Sequence, residues 1–588
     1  MYEPDELDTL EEYPPSARPP PKAAPPKAAP VPTPAPAPAA APPPSPAPTP
    51  RPPRAKGQRN RLILVVVIVV VVVIIAAAVY VLVQPKSSSS TPPLGINCLN
   101  DKAGDWPTYL GEVTRNSQNC GASDLSSATA GQLKMLWSYN TSFLDPGFLQ
   151  SEPIVTNGTV YIGGGNGVYY ALNATTGQDV WESPNLGLDY ECTVSEVPGA
   201  AVVEAITSSA TVTGGQVYIG GGNGYFYVLN ESTGAIDWSY YVGNTSQGYY
   251  NWASPLVLPQ LGYVYIGVSS NCDHPLVNGG LLQVSLSTHQ LVRFFSDLDA
   301  YQQASCNNTA GPPFVENVSS GCGGSIWGSP SYDSATNTIW AVTGNGYGLG
   351  VPAYGDSLME WDASSLSLVS HWTIPDAEEI YDGDFGTTPT LVNPVNQTPM
   401  VFATDKNGWS YAFDRDNIAQ GPVWQTQIST GTSVAPDAYG GGLIYIGGHS
   451  TTIGTTHYVG AIRAFNPAVN QTRWAVGMPG EVYGAPIYSN GLVVVVGGNL
   501  MDVLNSSTGD VVYSYTASLA FYGAPSIANG VIYVGNTNGL VMAFGLPGGT
   551  GASVAHSPSG AGPAVDRIAG IAAAVSAGLP IAQTVRRS

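Results

Sequence analysis

EPIVTNGTVYIGGGNGVYYALNATTGQDVW, from Glu152 to Trp181, is followed by SATVTGGQVYIGGGNGYFYVLNESTGAIDW, from Ser209 to Trp238. Each copy holds a short Pro- or Ala-containing lead, an apolar strand reading VYIGG, an Asn-Gly turn, a second apolar strand ending in Leu-Asn, a Thr-Gly turn and a Trp. Alternating or fully apolar runs bounded by Gly and Asn are the signature of strands joined by hairpins. Further copies begin near Ser254, Ser329, Thr388, Val434, Ala485 and Ala524, which makes eight. A four-stranded module of this kind cannot cover both of its faces alone, so the copies pack on one another and close into a ring that protects their edges. The spacing predicts an all-β chain built as an eight-bladed β-propeller.

The ends of the repeat array also indicate how the ring closes. The last copy, Gly523 to Gly545, stops before a fourth strand, whereas LKMLWSYN, from Leu133 to Asn140, precedes the first copy with no inner strands of its own. The N-terminal strand is therefore expected to complete the last blade.

Outward from the repeats the composition changes. Residues 1–61 are rich in Pro and Ala and too poor in large apolar groups to form a core, so a disordered, extended tail is expected. Leu62 to Val83 is almost unbroken Val, Ile, Leu and Ala. At ~1.5 Å per residue a helix of that length spans about 33 Å, enough for the bilayer core. Arg51, Arg54, Lys56, Arg59 and Arg61 precede it and Lys86 alone follows closely, which predicts a cytoplasmic N-terminus and an extracellular propeller on a single membrane span. The expected division is tail 1–61, transmembrane helix 62–83, linker 84–104, propeller 105–546 and a low-complexity C-terminal tail 547–588.

All six cysteines, Cys98, Cys120, Cys192, Cys272, Cys306 and Cys322, follow the apolar run, as expected of disulfides in an oxidising compartment. Six cysteines allow fifteen pairings; proximity suggests Cys98 with Cys120, Cys306 with Cys322 and Cys192 with Cys272. The formal net charge is −21, and the residues from Leu62 onward carry 35 acids against 12 bases, which argues against nucleic acid as a partner.

The runs ALNATTGQDVW, VLNESTGAIDW and AFNPAVNQTRW resemble the tryptophan-docking repeat of pyrroloquinoline quinone (PQQ) proteins. DWPTYLGEVTRNSQN, from Asp105 to Asn119, is similar to the start of the mature PQQ-dependent alcohol dehydrogenases. Three further stretches resemble that family's active-site segments. In GGSIWGSPSYDSATNTIWAVTGNGYG the resemblance implies that Trp327 is the floor under the quinone and Asn345 a calcium ligand. In IPDAEEIYDGDFGTTPTL, whose DGDFG form is similar to polyvinyl alcohol dehydrogenases, it implies Asp382 as general base and calcium neighbour, with Asp384 beside it at the cofactor. In ATDKNGWSYAFDR it implies Lys406 at the quinone carbonyls.

The chemistry fits those residue types. Oxidising an alcohol asks for a carboxylate to take the hydroxyl proton, a flat aromatic to fix the acceptor ring and a cation to polarise it, and oxygen ligands for calcium. The sequence also departs from the family. No two cysteines are adjacent, so the disulfide the family places over the quinone face is missing. Asp273 stands where the family uses a calcium-binding Glu, and no CxxCH haem motif occurs, so electrons would pass to a separate acceptor. Two functions are therefore expected to compete: a membrane-anchored PQQ- and calcium-dependent dehydrogenase of an alcohol or polyol, and a non-catalytic propeller, like the outer-membrane assembly scaffolds built from the same blades, that binds protein or glycan at the cell surface.

Overall fold

A computed structural model of the chain describes residues 104–119, 121, 124–141, 148–188, 205–271, 276–298, 323–345, 353–375, 378, 380, 383–394 and 397–548. The expected tail and membrane span (1–83), most of the linker, all six cysteines, Asp273 and Asp382 lie outside them. Among the described residues no helix is long and apolar enough to cross a membrane. The chain divides into units 1–89 and 90–588, and the described residues all belong to the second.

The described strands form eight sheets, one for each sequence copy, antiparallel throughout except where Gln118–Asn119 adds in parallel beside Ile487–Ser489. Blade 1 has the strands Ile154–Thr156, Thr159–Gly163, Tyr169–Asn173 and Asp179–Glu182, ordered from the axis outward. Blades 2 to 7 repeat this order. Their innermost strands begin at Thr211, Leu256, Ser331, Thr390, Ala438 and Ile487. Blade 8 takes three strands from Ser526–Gly545 and its outer strand from Lys134–Asn140, which pairs antiparallel with Leu540–Gly545. The expected closure by the N-terminal strand is thus the closure observed.

Apolar contact between faces drives the blades together, and the repeated Trp fixes their registration. The indole N–H of Trp137 donates to the Ala174 carbonyl of the next blade at 2.9 Å, and those of Trp181, Trp424 and Trp474 donate likewise to Glu231, Pro467 and Ser506. The rings of Trp137, Trp181 and Trp474 lie on a turn of the neighbouring blade where glycine (Gly177, Gly234, Gly509) is required for two reasons. Gly234 has φ +69° and a Cβ there would sit 2.4 Å from a ring atom of Trp181. Gly234→Ala is accordingly expected to cost about 1–3 kcal/mol through overpacking and left-handed backbone strain, measurable as a lowered urea midpoint; an unchanged midpoint would mean that the Trp does not bear on this turn.

The outer strands are edges, and seven of the eight carry a β-bulge at the same place, in five of them next to an aromatic, as between Asp179 and Trp181 or between Ile236 and Trp238. A bulge twists an edge and spoils it as a template for another chain.

The N-terminal segment has a use the repeat pattern did not show. It runs round the hub and meets the innermost strand of every blade in turn. Trp106 exchanges backbone hydrogen bonds with Val155, Pro107 accepts from Val212, Arg115 reaches Pro255 and Pro330, and Thr114, Asn116 and Ser117 accept from Leu391, Tyr439 and Tyr488. Asn119 completes the circuit by donating to Ile527 of blade 8. The stretch that resembles a dehydrogenase N-terminus is structurally an internal plug.

Candidate active site at the hub

Above the plug the innermost strands leave an axial cavity of about 110 Å³, with Tyr109 of the plug among its lining residues. Its wall comes from the residues just before each innermost strand. One layer is a relay of hydroxyls. The backbone N–H of Glu152 donates to Ser209 Oγ at 2.8 Å, Ser209 to Ser254 and Ser254 to Ser329 at 2.9 Å, and Ser329 to Thr388 at 3.0 Å. Blades 6 to 8 put Pro436, Ala485 and Ala524 at the equivalent positions, so one part of the belt is polar and the other is apolar.

Trp327 lies in the same wall, at the start of blade 4. Its indole N–H donates to Asp384 Oδ1 at 2.5 Å, and a Cβ on Gly386 would meet the far edge of its ring at 2.7 Å. Held at both edges, the ring has a fixed plane. Asp384 is 4% exposed and pairs through Oδ2 with Lys406 Nζ at 2.6 Å. Lys406 Nζ in turn lies 5.4 Å from the Trp327 ring centroid.

The turn that presents Lys406 is built locally. Gly408 takes φ +83°, the Asn407 N–H is capped by Asp405 Oδ1 at 2.7 Å, and the Lys406 N–H donates to the Asp384 carbonyl at 3.0 Å. Backbone and side-chain contacts therefore join the Asp384 segment to the Lys406 turn. Asn345 is buried in an adjacent turn, its carbonyl accepting from Gly324. Its neighbour Gly344 is so near that a Cβ there would lie 2.9 Å from Asp384 Oδ1.

Of the residues expected from sequence, Trp327, Asp384 and Lys406 touch one another, and Asn345 sits one residue from them. Asp382 and Asp273 lie outside the described residues. Among the described residues no three His, Cys, Asp or Glu side chains converge to hold a metal, so Asn345 and Asp384 are the described oxygen donors at the site. The quinone half fits this geometry in kind: a locked aromatic plane, a cation beside it, and a glycine-lined approach. At about 110 Å³ the cavity is smaller than the ~300–1,000 Å³ usual for ligand sites, so a tricyclic guest requires wall side chains to rotate outward.

Asp405 was missed because the DKNG turn was read for its lysine. It is buried, and its Oδ2 has no hydrogen-bond partner. Burial, reinforced by the nearby Asp384 charge and partly offset by the Asn407 N–H and Lys406, raises its pKa to about 7. The folded-state value lies above that of the unfolded chain, so the contribution of Asp405 to stability is fully present below pH ~4 and is lost as pH rises toward 7. Relative to wild type, Asp405→Asn is expected to flatten the fall in melting temperature between pH 4.5 and 7.5. Parallel curves for the two proteins would show that Asp405 does not titrate there.

A family model described as outer membrane protein assembly factor BamB, a PQQ-like repeat model, matches residues 125–267, 171–297 and 403–577. The BamB of Yersinia pestis is 32% identical over 162 residues, covering 26% of this chain and 40% of that protein. The quinohemoprotein alcohol dehydrogenase of Comamonas testosteroni is 24% identical over 342 residues, covering 53% and 45%. The chain thus spans less than half the length of either relative. The crystal structure of the Comamonas testosteroni enzyme superposes with a TM-score of 0.58 at 16% identity, covering 78% of this chain and 82% of that one, a likeness of fold.

Proposed function

The chain belongs to the PQQ-like repeat family, and from that premise we propose that its propeller is a quinone- and calcium-dependent dehydrogenase of an alcohol or polyol, anchored through residues 62–83 and working outside the cell. The observation that carries this is the meeting of Trp327, Asp384 and Lys406 at the axial cavity. A blade needs none of these three contacts to fold, yet together they offer an aromatic plane, a carboxylate and a cation.

Bound quinone supplies the hydride acceptor, and calcium a Lewis acid beside it. In this reading Trp327 would hold the quinone ring and Lys406 would polarise it. Asp384, whose Oδ2 pairs with Lys406 Nζ at 2.6 Å, is the carboxylate placed to accept the substrate hydroxyl proton. Asp384 takes the base role here because its carboxylate reaches both the cation and the aromatic; Asn345, with Asp382 and Asp273, would supply oxygen ligands to calcium. The sequence has no CxxCH haem-attachment motif, so this reading would require a separate electron acceptor.

The second reading is a non-catalytic propeller that binds protein or glycan, favoured by the match to the BamB family model and by the Yersinia pestis relative. One experiment separates them. The full-length chain mixed with PQQ and calcium should retain the quinone absorbance through gel filtration and reduce an artificial dye when given a primary alcohol. Failure to retain quinone at any calcium concentration would leave the scaffold reading standing.

A further inference from the structure

A serine hydroxyl can accept hydrogen bonds and has one hydrogen of its own to give. In the belt above the plug, Ser209, Ser254 and Ser329 each accept a backbone N–H from the preceding blade. Among the described residues none of their own O–H groups has an acceptor. The three are 2%, 3% and 4% exposed and line the axial cavity, so the hydrogens they have left to give are directed at whatever occupies it. A buried donor without an acceptor is costly, and this layer is built to meet one. Thr388 continues the row beside the phenol of Tyr109, which burial keeps protonated.

A positive charge lies directly beneath these donors. Arg115 donates through Nη2 and Nε to the carbonyls of Pro255 and Pro330, both at 3.1 Å, and these are the residues immediately after Ser254 and Ser329. The guanidinium is thus one residue deeper than the hydroxyls of blades 3 and 4. It also lies 5.8 Å from the ring centroid of Tyr109, another lining residue of the cavity. Burial lowers the Arg115 pKa to about 10, with Tyr109 and Glu152 opposing, so it stays charged at neutral pH. Of those two, Tyr109 is a phenol and Glu152 is a carboxyl that burial holds well above its usual range. Neither is a full anion at neutral pH, and a buried cation of this kind favours a negative neighbour.

The rest of the wall excludes the opposite charge. Across the ring the belt positions are Pro436, Ala485 and Ala524, which offer a cation no side-chain oxygen. Trp252 and Trp327, two residues before Ser254 and Ser329, stand in the layer above and also line the cavity. At about 110 Å³ the space suits an ion rather than a ring system. We propose that the hub cavity binds a small monovalent inorganic anion of halide size, held by the hydroxyls of Ser209, Ser254 and Ser329 above the Arg115 guanidinium. The site lies one layer below Trp327 and does not depend on the quinone reading; it supplies the plug with a counter-ion whether the propeller is an enzyme or a scaffold.

The test uses chloride as the probe and gluconate, too bulky for the cavity, as the control anion at equal ionic strength. With the full-length chain in detergent, free of quinone and calcium, chloride should raise the melting temperature above the gluconate value along a saturating curve, as a ligand of the folded state does. It should also broaden the chlorine NMR line to an extent that bromide competes away. Ser254→Ala and Ser329→Ala introduce the residue that blades 7 and 8 already carry at this position. Each should weaken chloride binding about tenfold or more, while melting in gluconate records any loss of fold separately. A wild-type chain that melts identically in both salts and shows no saturable broadening would overturn the proposal, as would folded alanine variants that bind chloride with wild-type affinity. Should those variants fail to fold, Ser209→Ala at the end of the belt is judged by the same two criteria. Neither measurement involves PQQ, so a failure here leaves the quinone reading to its own experiment.

Discussion

Arg115→Met is expected to destabilise the propeller by about 3–5 kcal/mol, because it takes the donors from several buried acceptors, each costing about 1–3 kcal/mol when left unsatisfied. Arg115 is 0% exposed, and its guanidinium is shared among three parts of the molecule. Nε donates to the Pro330 carbonyl and Nη2 to the Pro255 carbonyl, both at 3.1 Å, while Nη1 donates to Thr108 Oγ1 at 2.8 Å and to the Tyr109 carbonyl. One side chain thus ties the plug to blades 3 and 4. Burial lowers its pKa to about 10, with Tyr109 and Glu152 opposing, so it stays charged at neutral pH. Methionine fills the space but leaves several buried carbonyls without donors, and an unsatisfied buried acceptor costs more than a hydrogen bond contributes. Urea denaturation gives the measurement. A loss below about 1 kcal/mol would mean that the plug holds its place through backbone pairing alone.

Glu152 makes the contrast. It lies in the same buried network, its carboxyl held well above the usual range by burial, and its Oε2 accepts from the Leu110 N–H at 2.8 Å. A group already inclined to be neutral is well replaced by an amide, which keeps the acceptor. Charge therefore matters at Arg115 and shape at Glu152.

What the sequence made legible was whatever repeats locally. The strand pairs, the Asn-Gly and Thr-Gly turns and the docking tryptophans are each decided within about thirty residues, and the missing fourth strand of the last copy was visible as a gap. The plug was not legible, because its partners lie up to 408 residues away and its polar string DWPTYLGEVTRNSQN shows no periodicity. The hydroxyl belt was in plain view as the Ser-Pro and Thr-Pro leads of blades 3 to 5, but its meaning needs the ring: each hydroxyl accepts from the preceding blade's backbone. Trp252 escaped notice because its repeat-equivalent Trp327 carried a resemblance and Trp252 did not, although the same offset before Pro marks both. Asp405 escaped for a different reason, since an Asp opening a tight turn is accounted for by its cap to Asn407, and only burial reveals its second oxygen.

The Asp384–Lys406 pair should respond very differently to the loss of each partner. Lys406 keeps 16% of its side chain exposed and Asp384 only 5%. In Asp384→Asn the lysine can turn its ammonium toward water while the amide still accepts from Trp327, so stability is expected to change by less than about 1.5 kcal/mol. In Lys406→Met the carboxylate stays buried without its cation, a situation that costs about 3–5 kcal/mol. The double variant should recover much of that loss, giving a coupling of about 2 kcal/mol or more in a double-mutant cycle. Turnover should be lost in both variants, for different reasons. Asp384→Asn keeps the fold and the quinone site but removes the group that takes the hydroxyl proton, so dye reduction should fall by about 10²–10⁴, whereas Lys406→Met should lose both quinone affinity and rate. An Asp384→Asn protein that melts like wild type and still oxidises alcohol at full rate would take the base away from this residue. Because the stability cycle is read without any cofactor, it tests the geometry of the pair even if the chemistry assigned to it fails.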